Sequence, residues 1–159
     1  MKTRNVSFSY REYEEPGQLD KDDMALLMEA KEAALNAYAP YSGFNVGVSI
    51  RLASGAIVKG TNVENAASPA GICAERNALA NCISNHPGDN PVAIAVAAIK
   101  QNEFTGDPVP PCGNCRQVIV EEELRNSKPI KMILSGKNKI QVIDSCSDLL
   151  PLQFNMNNL

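Results

Sequence analysis

Apolar and polar positions alternate between two periods along the chain, and the switches between them mark out the elements. From Leu19 the period is helical: Asp20 suits an N-cap, and Met24, Leu27, Met28 and Leu35 recur at helical spacing until Pro40. Two strand-like stretches follow, about 44–52 and 56–62, joined by Ser54-Gly55 as in a β-hairpin. A second helix is expected from near Cys73 to about Ser84, ended by Asn85-His86-Pro87-Gly88. Residues 92–99 are continuously apolar, the pattern of a central strand covered on both faces. After a loop rich in Pro and Gly, Cys112 opens a third helix reaching about Arg125. Residues 130–134 and 139–143 read as strands and 145–150 as a short closing helix. A hairpin followed by helix, strand, helix and strand places helices on both faces of one mixed sheet, an α/β class fold in a three-layer α/β/α sandwich.

The first eighteen residues read differently. Val6, Phe8 and Tyr10 alternate with polar residues, as in a half-exposed strand, before the Glu14-Glu15-Pro16-Gly17 break. Residues 1–18 are therefore expected to be an extension to a single domain spanning 19–159, a length that favours one core.

Composition narrows the function. Hydrophobic residues make up 44% and charged residues 21%, an ordinary globular balance. No apolar run approaches bilayer length and no secretory signal is evident, so a cytoplasmic protein with no membrane partner is expected. A net charge of −3 without any long Lys/Arg run disfavours a long nucleic-acid partner and suits a small ligand. Five cysteines, an odd number without a secretion signal, suggest reduced thiols available as metal ligands.

In Pro111-Cys112-Gly113-Asn114-Cys115, two thiols three residues apart share one face at a helix start. Helix N-termini favour thiolate, and zinc accepts such a pair at about 2.3 Å per Zn–S bond. For this pair alone, a redox dithiol and half of a structural four-cysteine site stand beside the metal reading. Cys73-Ala74-Glu75, at another expected helix start, supplies a third thiolate and shifts the balance. Three protein ligands with one open position describe a catalytic zinc. Cys82 reads as a small buried residue and His86 as a turn residue facing solvent, while Cys146 remains open as a fourth ligand. Glu75, two residues beyond a ligand, can take a proton from zinc-activated water and return it to a leaving amine.

A Cys-x-Glu followed by Pro-Cys-x-x-Cys is the signature of zinc-dependent deaminases. The chain resembles the cytidine deaminase family, specifically the short type acting on free nucleosides, from Ala37 onward. The resemblance rests on residues 39–47 (APYSGFNVG), 62–66 (NVENA), 73–76 (CAER) and 111–117 (PCGNCRQ), and on Leu149-Leu150-Pro151 with Phe154. It implies one Zn²⁺ per chain on Cys73, Cys112 and Cys115, with Glu75 as proton shuttle. It also implies hydrolysis of cytidine and deoxycytidine to uridine and deoxyuridine. By the same resemblance Asn62 and Glu64 bind the ribose, Phe44 packs on the base, and the Ala74 backbone contacts it. Phe154 would reach a neighbouring subunit's pocket in a homotetramer, with pockets near the subunit interfaces.

Three thiolates and a carboxylate leave the site negative, so nearby cations are expected. Arg76 is the first candidate; Arg116 is either a second or a solvent-facing helix residue. Ser68 stands where many relatives carry tyrosine, Pro110 where they have Ser and Asn77 where they have Thr. None of these departures touches the metal set, but substrate preference can drift with them. Another small aminated nucleoside, or a nucleoside antibiotic, is the alternative substrate, and a non-catalytic zinc-binding module the alternative role.

Overall fold

The computed structural model describes residues 1–159, and its core is a seven-stranded mixed sheet between two helical layers. The elements are β1 (Arg11–Tyr13), α1 (Lys21–Ala34), β2 (Phe44–Leu52), β3 (Ile57–Thr61) and α2 (Ala74–Asn85). They continue as β4 (Pro91–Lys100), β5 (Glu103–Phe104), α3 (Gly113–Asn126), β6 (Lys131–Ser135) and β7 (Ile140–Ile143). The strand order is β1-β7-β6-β4-β2-β3, with β5 pairing on β4. Only β4 and β6 are parallel, because α3 carries the chain back across the sheet between them. This is the three-layer α/β/α arrangement expected from the pattern. No helix is long and apolar enough to cross a membrane.

The unbroken apolar run of β4 follows from its two covered faces. Ala93, Ala95 and Ala97 face α1, packing with Leu26, Leu27 and Ala30. Ile94 and Val96 face the other layer, among Ala78, Leu79 and Ile119. Small residues on the α1 side let that helix lie close to the sheet: a Cβ on Gly47 would fall 2.2 Å from both the Ala30 carbonyl oxygen and the Ala34 nitrogen.

The same closeness corrects the expected face of α1. Met24, Met28 and Leu35 are exposed, and the buried stripe is Leu26, Leu27, Ala30, Ala33 and Ala34. Alanines occupy it because nothing larger fits over Gly47. Asp20 does cap the helix, accepting from the Asp23 N–H at 2.8 Å, but the helix stops at Ala34, short of Pro40.

Two further differences arise at the sheet's margins. The N-terminal strand lies at Arg11–Tyr13, not over Val6–Tyr10, because β7 offers pairing partners only there (Arg11 opposite Val142, Tyr13 opposite Ile140). Arg11 also pairs with Asp144, and Gln141 Nε2 donates to Glu12 at 3.0 Å. The segment read as loop after β4 contains β5, reached by a two-residue turn in which Gln101 and Asn102 both have positive φ (54° and 63°). Asn tolerates that region; Gln there gives no sequence signal.

Candidate metal centre and adjoining cleft

Two helices begin at cysteines. Cys73 is the N-cap of α2 and Cys112 the N-cap of α3, and neither side chain caps its own helix. Each keeps its carbonyl in the helix ladder, accepting from Asn77 N–H and Arg116 N–H at 3.0 Å, so the sulfurs are free to turn toward each other. Cys115, one turn into α3, is fully buried. The Sγ atoms of Cys73, Cys112 and Cys115 all lie within 4.8 Å of one another, and Cys112 and Cys115 are 3.5 Å apart without a disulfide. Tetrahedral zinc at about 2.3 Å from each sulfur spaces its ligands by about 3.8 Å, so the donor set fits one zinc ion per chain.

Charge makes the same demand. Burial raises the Cys115 and Cys73 thiols above their ordinary value, and the negative charge of Glu75 pushes both further. Burial acts upward on Cys112 too, but N–H groups of Cys115 and Asn114 at the start of α3 hold it below its ordinary value. Three sulfurs crowded beside a carboxylate carry their negative charge only with a cation among them. The rival readings of the Cys-x-x-Cys pair fall away, because the third sulfur belongs to a different helix and no fourth joins the group.

Cys146 is buried elsewhere, its thiol on the Ile130 carbonyl at 3.2 Å. Cys82 packs in the core between α2 and the sheet, where burial pushes its thiol up to about 12. His86 is the half-buried C-cap of α2, a helix length of roughly 18 Å from the sulfurs.

Glu75 sits in the first turn of α2 with 7% of its surface exposed. Arg51 Nη1 is the one enclosed side-chain polar atom lacking a partner, so the Glu75 carboxylate, which no group of the chain bonds, retains contact with open space. A Gly60 in β3 brings this helix start down onto the sheet: its Cα faces Ala78 and the Ala74 carbonyl so closely that a Cβ would lie 2.4 Å from Ala78 N.

Beside the sulfurs opens a cleft of about 420 Å³, lined by Cys73, Asn62, Glu64, Tyr41, Asn65 and Ser68 among others. The sequence points to Cys73, Asn62 and Glu64 as site residues and to Ser68 as a departure beside them, but to no role for Tyr41 or Asn65. The Asn62 amide locks the end of the hairpin, Oδ1 accepting from Val46 N–H at 2.7 Å and Nδ2 donating to the Phe44 carbonyl at 2.9 Å. Glu64 accepts from the N–H groups of Tyr41 and Ser42 at 2.9 and 3.2 Å and from the Ser42 hydroxyl. Those donors hold its carboxyl below the usual range.

Phe44 and Ala74 adjoin the cleft through their neighbours but do not line it, and Phe154 is exposed on the C-terminal tail, its carbonyl held by Gln117 Nε2 at 2.9 Å. The Arg76 side chain makes no hydrogen bond within the chain, whereas Arg116 donates to the carbonyls of Pro111 and Leu149 at 2.8 and 2.9 Å. Arg116 therefore braces the Pro-Cys loop against the C-terminal segment, a role that spacing alone does not reveal.

Residues 20–128 match the family model described as the cytidine and deoxycytidylate deaminase zinc-binding region. A cytidine deaminase of Halalkalibacterium halodurans is 42% identical over 133 residues, 84% of this chain and 94% of that one. One from Mycobacterium tuberculosis is 33% identical over 143 residues, covering 88% and 95%. The crystal structure of a Burkholderia pseudomallei cytidine deaminase superposes with a TM-score of 0.70 at 39% identity, over 82% of this chain and 97% of that one. Sulfur cluster, fold and sequence agree, and the chain belongs to the cytidine and deoxycytidylate deaminase family.

Proposed function

We propose that the protein removes the exocyclic amine of cytidine and deoxycytidine by hydrolysis, giving uridine or deoxyuridine and ammonia. The observation that carries this is the meeting of three thiols from two helix starts with the buried Glu75, at the edge of a cleft of nucleoside size. Cys73, Cys112 and Cys115 would hold the zinc, which when bound would supply Lewis acidity toward water.

Glu75 then does the proton work. It takes a proton from the attacking water as oxygen adds to C4, delivers it to N3, and carries a second proton to the departing amine. C4–O forms, C4–N breaks, and Glu75 ends as it began. Burial leaves its carboxylate only a narrow opening, so few waters compete as it stabilises the tetrahedral centre where charge develops.

Asn62 and Glu64 take the ribose side of the cleft. Glu64 uses three of its roughly four acceptor positions on the Tyr41–Ser42 turn, which leaves one for a sugar hydroxyl and fixes its orientation. Phe44, tied to Asn62, is the residue for packing on the base, and the Ala74 backbone for contacting it. Arg76, free of other partners in the chain, serves to offset the thiolates. Phe154, exposed on the tail, is suited to a neighbour's pocket in a homotetramer with its pockets near the subunit interfaces. Residues 19–159 form the deaminase domain, with 1–18 as its extension. Five unpaired cysteines fit a reducing, cytoplasmic setting.

The decisive experiment follows cytidine absorbance on the purified protein beside a zinc determination. Loss of the cytidine band with about one zinc per chain is expected. Zinc without turnover on cytidine or deoxycytidine, but with turnover on another aminated compound, would move the substrate to one that exploits the space at Ser68. Cytidine monophosphate and a short single strand should be poor substrates, since the cleft lining holds no Lys or Arg for phosphate.

A further inference from the structure

The ten residues before β1 are all exposed, and none makes a backbone hydrogen bond within the chain. They precede the family-matched region, and they lead into β1, whose outer side is one of the two open edges of the sheet. Such an edge presents unpaired N–H and C=O groups that another strand can use. The arm is not merely polar slack: Val6, Phe8 and Tyr10 expose 67%, 48% and 52% of their surface, and the rings of Phe8 and Tyr10 lie 6.4 Å apart.

We propose that this arm pairs antiparallel with the arm and β1 of a second copy of the chain, about a two-fold axis at Phe8. The register is written in the residues. With Phe8 opposite its own counterpart, Val6 faces Tyr10, Arg4 faces Glu12 and Lys2 faces Glu14, all on one side of the ribbon. On the other side Ser7 faces Ser9, Asn5 faces Arg11 and Thr3 faces Tyr13. Sliding by two residues one way places Val6 opposite Glu12; sliding the other way places Arg4 opposite Tyr10. Only the Phe8-centred register sets apolar against apolar and basic against acidic throughout.

Glu12 already lies between Gln141 (3.0 Å) and Lys139 (3.8 Å) on the β7 side, with much of its carboxylate side still open. Such an isologous contact is self-complementary, so each arm joins one copy to one other. The two sheets continue into one another through β1, and the β1 edge of each copy is covered at once.

The test uses the full-length, zinc-loaded enzyme, in which three thiols hold metal and Cys82 and Cys146 are buried. Phe8→Cys places two thiols directly opposite, within disulfide reach, whereas Asn5→Cys sets its thiols roughly 20 Å apart. Mild oxidation at low protein concentration should convert Phe8→Cys to a covalent dimer while Asn5→Cys and the unmodified chain stay single. Adding Arg4→Glu to Phe8→Cys should slow cross-linking several-fold, and adding Glu12→Lys as well should restore it. Arg4, Asn5 and Phe8 are exposed and make no contacts that the fold needs, and Glu12 gives up only a surface hydrogen bond to Gln141 and a long pair with Lys139, so these variants should all fold. Equal cross-linking of Asn5→Cys and Phe8→Cys, or a charge reversal without rescue, would overturn the pairing.

Discussion

Glu75 and Glu64 show how one residue type takes two roles from its surroundings. Glu75 is buried beside thiols with no donor of the chain bonded to it, so its carboxylate remains free to exchange protons. Glu75→Gln keeps the shape and removes that exchange; turnover should fall by about 10²–10⁴-fold while zinc content stays unchanged. Activity near wild type in steady-state assays would remove Glu75 from the chemistry. Glu64 is half-buried at the lip and held as the anion by Ser42 and Tyr41. Its folded pKa lies below the unfolded one, so the stability it adds is present above the ordinary carboxylate range and is lost as pH falls through the folded value. Melting temperatures of wild type and Glu64→Gln should therefore differ at pH 7 and converge in acid. A gap that persists unchanged at low pH would mean that charge is not what holds the 41–42 turn. Both glutamates were named from the sequence, but the Ser42 and Tyr41 donors were not, because the contact spans more than twenty residues.

At the scale of elements, the site depends on how closely α2 seats against the hairpin. Gly60 permits that approach: a side chain there meets Ala78 N at 2.4 Å, Ala78 Cα at 2.7 Å and Ala74 O at 2.8 Å, all backbone atoms that have little room to yield. Gly60→Ala should cost about 3 kcal/mol or more in urea unfolding, and should weaken zinc binding because Cys73 rides on the displaced helix. Gly17→Ala, with open space around its would-be Cβ, should change stability by less than about 0.5 kcal/mol. Comparable losses at both positions would show that the penalty is not steric. Helix starts at Cys73 and Cys112 were legible because the pattern marks where helices begin. The buried stripe of α1 was not: Met24 and Met28 satisfy helical spacing as well as Leu26 and Ala30 do, and only Gly47 beneath the helix selects the smaller set.

For the whole molecule, the metal ties together two helices that otherwise meet mainly through the sheet. Cys73 belongs to α2, and Cys112 and Cys115 to α3, with β4 and β5 between them in the chain. Zinc held at a thousand times its Kd would add about 4 kcal/mol, roughly 10 °C for a chain of this size. Scanning calorimetry before and after chelation should show a drop of that order, reversed by added zinc. An unchanged transition in protein shown to be zinc-free would mean that the fold holds the sulfurs together unaided. Glu123 is a second long-range tie, accepting from Ile130 N, Cys146 N and Ser147 N and so fastening α3 to the strand and turn that follow it.

The sequence by itself determined the order and type of the elements, the two cysteine-headed helices and the chemistry of the ligand set. Each of these is encoded within a few neighbouring residues, by period, by cap or by ligand spacing. Tertiary structure brings Cys73 onto Cys112 and Cys115, as the ligand set required, and it alone decided which face of α1 is buried and where the N-terminal strand begins. It also decided that Arg116 braces the Pro-Cys loop. These depend on partners far along the chain, and local periodicity carries no information about which distant surface a residue will meet.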